Sequence, residues 1–142
     1  MQRMLIAMAS LISGLVALYL HLWKLGKAGV LTCSGSGGCS LVQGSKYGWF
    51  LGVDVALIGT IGYATLFVLA MIGTSARFAD DLRITRALQL LIWCAVLFTL
   101  RLKYAEFVIL QSFCPWCAVS AVTITLCAIL ITLDARRLSR SE

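Results

Sequence analysis

Four of the six cysteines in this chain fall into two close pairs. Cys33 and Cys39 flank Ser-Gly-Ser-Gly-Gly, and Cys114 and Cys117 bracket Pro-Trp. Cys-Pro-Trp-Cys runs directly into an apolar block, so Pro115 suits the first helical position, where a missing N–H costs nothing. Cys114 then stands beside the unsatisfied N–H groups and partial positive charge of a helix start, which stabilise a thiolate. A disulfide with a stabilised thiolate as leaving group exchanges readily, so this pair reads as redox-active. For Cys33 and Cys39 two readings stand: a structural staple across a glycine-rich loop, or a second exchanging pair. Zinc held by all four is a poorer match, because the spacing fits no zinc ribbon, and no metal is expected. Cys94 and Cys127 lie inside apolar stretches, read as small buried hydrophobes, and carry no assigned chemistry.

The elements that position these thiols must sit in a membrane. Of 142 residues, 61% are hydrophobic and 13% charged, whereas soluble domains average roughly 45–50% and about 25%. Too few polar residues remain to cover a water-facing surface. One proline and long apolar blocks argue against disorder and against short alternating barrel strands. The net charge of +6 forms no basic stripe interleaved with aromatics, so no nucleic acid is expected. Four apolar blocks, residues 4–23, 52–73, 87–110 and 116–133, are each about long enough to cross a bilayer as a helix. The first lacks Ala-x-Ala-like cleavage chemistry before Cys33, so it reads as a retained span, not a signal peptide. The third carries Arg101, Lys103 and Glu106, which must reach the headgroups, pair, or face an aqueous pocket. The expectation is a single all-α membrane domain, residues 1–142: a four-helix bundle capped by an extracytoplasmic loop over residues 24–51.

Charge sets the orientation. Arg3, Arg77, Arg83, Arg86, Arg136, Arg137 and Arg140 fall on one side, against Lys24, Lys27 and Lys46 in the first loop. The arginine-rich side is expected to be cytoplasmic, with both termini. Cys33, Cys39, Cys114 and Cys117 then share the opposite, oxidising face. Two dithiol pairs at one surface suggest a relay, whose last pair must pass its electrons to something other than a thiol. A lipid-soluble quinone fits that role, in a pocket among the helices beside Cys117. Trp116 reads either as part of an interfacial aromatic belt with Trp23, Tyr47 and Trp49 or as a ring stacked on the quinone. His21, near the outer end of the first span, reads mainly as an interfacial anchor.

Cys33, Cys39, Ser45 and Tyr47, then Gly59, Gly62 and Tyr63, then Tyr104-Ala-Glu106-Phe107 leading into Cys114-Pro-Trp-Cys117 and Ser120-Ala121, resemble bacterial homologues of vitamin K epoxide reductase. The resemblance covers about residues 18–121. It implies an enzyme of the bacterial inner membrane that reoxidises a periplasmic thioredoxin-like, DsbA-type protein and passes electrons to a quinone, ubiquinone or menaquinone. It separates the chain from DsbB-type proteins, which carry Cys-x-x-Cys in the first outer loop. It also implies that Cys114 and Cys117 are the active-site pair, that Cys33 and Cys39 are the loop shuttle, and that the Ser45 hydroxyl bonds near the quinone and Cys117. A quinone or vitamin K epoxide reductase with the same residues is the alternative, and a scaffold stapled by two static disulfides a third reading. Two departures stand out. Many relatives have Pro where Asp54 stands, and a carboxylate there is expected to disfavour a nearby thiolate. Many also continue into a fused thioredoxin-like domain, whereas this sequence ends at Glu142, so the partner is expected to be a separate protein.

Overall fold

The computed structural model describes residues 1–27, 49–50, 52–109, 111 and 115–141. The elements are α1 (Gln2–Lys24), β1 (Trp49–Phe50), β2 (Val53–Asp54), α2 (Val55–Thr74), α3 (Leu82–Tyr104) with a π-helical turn (Ala105–Ile109), and α4 (Pro115–Ser141). The helices run up, down, up and down. Each packs on two neighbours, with α4 returning to α1. All four are long and apolar enough to cross a membrane, and the chain is a multi-pass membrane protein.

Local signals set the helix ends. α1 stops where Gly26 adopts φ 78, letting the Gly26 N–H donate to Trp23 O at 2.9 Å and the Lys27 N–H to Leu22 O at 3.0 Å. Gly52, at φ 82, turns the chain between β1 and β2, which pair antiparallel with Trp49 opposite Asp54. Asp54 then caps α2, accepting from the Ala56 N–H at 3.0 Å, and Asp81 caps α3, accepting from the Arg83 N–H at 2.9 Å.

These caps move the boundaries read from hydropathy. Residues 52–54, expected in the second span, form a turn and a strand. α3 starts at Leu82, five residues before the apolar block does, because Asp81 supplies the cap. α4 runs on to Ser141 instead of stopping near Leu133, because Asp134 faces a partner inside the bundle.

Ile6, Leu66, Leu88, Ile92, Ile124 and Ile131 form the centre of the core. Leu11, Leu15, Ile61, Leu97, Val122 and Ile129 point outward. Lipid is the natural solvent for such a surface, so helix association must come from close packing more than from burial. Small residues provide it between α1 and α2. A Cβ on Gly14 would lie 3.2 Å from Tyr63 Cβ, and one on Gly59 would lie 3.6 Å from Ala17 Cβ.

At one end of the bundle Arg3 joins all four helices. Its guanidinium donates to Asp134 Oδ2 at 2.8 Å, Gly73 O at 2.9 Å, Phe78 O at 3.1 Å and Thr85 Oγ1 at 2.6 Å, and Arg3, Thr85 and Asp134 are all buried. Arg3 is therefore a paired internal charge, not the free surface cation its position suggests.

Candidate functional site

At the opposite end the helices separate around a cavity of about 380 Å³. All four contribute to its wall, which is apolar apart from a few groups. The volume lies within the range of small-molecule sites, and an apolar wall with sparse polar groups suits a lipid-soluble ring. Trp116 and Cys117, in the first turn of α4, line it at the end nearer the hairpin. Cys117 packs beside the small cluster formed by Leu20 and Ala56, and the Trp116 ring lies 5.8 Å from Tyr19, tilted by 56°. The helix start thus brings a thiol and an aromatic face to one apolar opening, where N-terminal N–H groups and the helix dipole favour negative charge.

Of the residues singled out from the sequence, Cys117 and Trp116 stand together in this wall. Cys33, Cys39, Ser45, Tyr47 and Cys114 lie outside the described residues. Cys127 is fully buried, as expected of a small hydrophobe. Cys94 is not: it is exposed on α3 and forms part of the cavity wall.

Lys103 and Glu106 also line the cavity, joined by a bond of 2.7 Å from Nζ to Oε2. Glu106 is almost wholly buried in the π-helical turn, which rotates it inward. The three-residue spacing of opposite charges was visible in the sequence; its inward direction depends on the π-turn. An anionic carboxylate at this depth requires a partner, and Lys103 meets that need.

Asp54 is held by residues that sequence reasoning did not connect. His21 Nδ1 approaches Oδ2 at 2.5 Å and Lys24 Nζ approaches Oδ1 at 2.5 Å. A carboxylate only accepts, so Nδ1 carries the proton in that bond. Burial raises the Asp54 pKa, but the bonds from His21, Lys24 and the Ala56 N–H, with the Lys24 charge, outweigh it and hold the carboxyl below its ordinary value. The carboxylate expected to disturb a thiolate is therefore compensated where it stands. His21 is correspondingly a partner of Asp54, more than an interfacial anchor. Lys24 also lies 5.4 Å from the Trp49 ring centre, tying β1 to the end of α1.

Sequence reasoning also missed a hydroxyl pair deeper in the cavity. Tyr63 OH on α2 lies 2.7 Å from Ser120 Oγ on α4, with Ser13 of α1 on the same wall. Tyr63 and Ser120 were among the residues carrying the family resemblance, but nothing in their spacing signals a bond across 57 positions.

The model of the vitamin K epoxide reductase family matches residues 4–132, a stretch that reaches into all four helices and includes Trp116, Cys117, Tyr63 and Ser120. The chain belongs to the vitamin K epoxide reductase family and is a membrane oxidoreductase of quinone-linked thiol chemistry.

Proposed function

We propose that this protein oxidises the dithiol of a separate thioredoxin-like, DsbA-type protein and passes the electrons through two cysteine pairs to a membrane quinone, supporting disulfide-bond formation. The observation that carries this is Cys117 at an apolar cavity enclosed by four membrane helices, at the start of a helix.

In the proposed sequence, the partner's thiolate attacks Cys33 and Cys39 leaves. Cys39 then attacks Cys114 and frees the Cys117 thiolate beside the quinone. Two electrons pass to the quinone as Cys114 and Cys117 close again, and two protons complete the quinol. Trp116 offers a flat face for the ring, and the Ser45 hydroxyl a hydrogen bond near Cys117. The quinone is ubiquinone or menaquinone, either of which is apolar enough for the cavity.

The arrangement requires the Cys117 end of the bundle to face the oxidising periplasm of a bacterial inner membrane, with both termini cytoplasmic. Arg77, Arg83, Arg86, Arg136, Arg137 and Arg140 lie near the other end, in support of that orientation. Thiol trapping in cells tests the relay. When quinone is withdrawn, Cys114 and Cys117 should accumulate in the reduced form; bridges that stay closed would make them static staples instead.

A further inference from the structure

The cavity wall is polar at two levels. Cys117 marks the first on α4, and Ser120, with Tyr63 and Ser13, the second; Thr99, Lys103 and Glu106 also line the cavity. Ser120 follows Cys117 by three residues on α4, a rise of roughly 4.5 Å along the same helix face. That distance is close to the separation of the two oxygens on opposite corners of a quinone ring.

The second level has hydrogen-bonding capacity in reserve. Tyr63 OH has Ser120 Oγ at 2.7 Å and Ser120 O at 3.3 Å. When Tyr63 gives up the longer contact to the carbonyl and donates to Ser120 Oγ instead, the Ser120 proton is left for an acceptor in the cavity. Ser13 is 2% exposed, and its Oγ lies within reach of Tyr63 OH without completing a hydrogen bond of good geometry. A buried hydroxyl whose bonding is incomplete is costly within a membrane bundle, and an acceptor entering the cavity would complete it. Packing fixes the group in place: α1 presents Gly14 to Tyr63 so closely that a Cβ there would lie 3.2 Å from Tyr63 Cβ.

We infer that Tyr63, Ser120 and Ser13 bind the second oxygen of the quinone, across the ring from the one beside Cys117, and so select para-quinones over ortho-quinones. This rests on the quinone assignment made for the cavity. In the reaction, two thiols and the quinone become a disulfide and a quinol: the S–S bond forms, and the two S–H protons end on the ring oxygens. The hydroxyls end unchanged. They lend hydrogen bonds to the far oxygen, which gains negative charge as the electrons arrive. An ortho-quinone carries both oxygens on one edge and cannot reach both levels.

The test measures steady-state reduction of para-naphthoquinone and ortho-phenanthrenequinone by the purified protein supplied with a reduced thioredoxin-like protein. The wild type should favour the para-quinone. Tyr63→Phe and Ser120→Ala should each raise its KM about tenfold, the loss of one useful hydrogen bond, and leave the ortho-quinone unaffected. Ser120→Thr, which keeps the hydroxyl, should restore the preference. Ser120→Ala decides the matter if Tyr63→Phe fails to fold. Equal losses for both acceptors, or no loss for either, would overturn the inference while leaving the cavity a quinone site. A wild type that reduces no quinone, yet still exchanges disulfides with the partner, would overturn the quinone assignment itself and this inference with it.

Discussion

Arg3 and Asp134 stand 131 positions apart in sequence and 2.8 Å apart in space, buried together at the end of the bundle away from Cys117. The pair draws the start of α1 against the last helix, and the further bonds of Arg3 to Gly73, Phe78 and Thr85 bring in the other two. Arginine suits this place because its planar fork serves several acceptors at once. Among the described residues the fold is thus fastened at one end, while at the other the helices part around the cavity.

Removing one partner leaves a buried charge uncompensated. Arg3→Ala or Asp134→Ala should therefore destabilise the protein by about 3–5 kcal/mol. The double variant should cost less than the sum of the two single ones. Unfolding in detergent measures both, and strict additivity would mean the two side chains do not interact.

Close approach of α1 and α2 gives a second expectation. Gly14→Ala places a methyl 3.2 Å from Tyr63 Cβ, so the helices must separate by a few tenths of an ångström, at a cost of roughly 1–3 kcal/mol. Gly62→Ala meets nothing within 4 Å and should be neutral or stabilising, since alanine favours helix. Thermal unfolding of the two variants side by side reads the contrast.

The helices were legible because apolar length is a strong signal; their ends were not. Asp81 and Asp54 act through caps, which hydropathy does not register. Asp134 looked like the first residue beyond a span, yet Arg3 keeps it inside the bundle. At the site, Cys117 and Trp116 were visible from Cys-Pro-Trp-Cys at a helix start. Tyr63 with Ser120, and His21 and Lys24 with Asp54, were not, because each contact joins residues on different elements and depends on how the helices pack.

Asp54 also predicts a pH dependence. Its folded-state pKa is depressed, so its stabilisation is complete above the unfolded-state pKa and is lost as pH falls through the lower folded-state value. Wild-type stability should decline with acidification across the carboxylate range. Asp54→Asn should be less stable at neutral pH and should lose that part of the slope, which unfolding measured over a series of pH values will show.

In the proposed relay Cys33 meets the partner first and Cys39 resolves the mixed disulfide. Cys39→Ser should therefore hold the partner covalently on Cys33, and Cys33→Ser should not. Non-reducing gels distinguish the two; capture on Cys39 would reverse the order.

Electron transfer from a dithiol protein to quinone through Cys117 is best followed by mixing the purified protein with a reduced thioredoxin-like protein and a soluble quinone, and measuring disulfide and quinol together. The wild type should form one disulfide for each quinol, and Cys117→Ala should form no quinol while its bundle remains folded. Quinol produced at the wild-type rate by Cys117→Ala, or partner oxidation without quinol in the wild type, would contradict it.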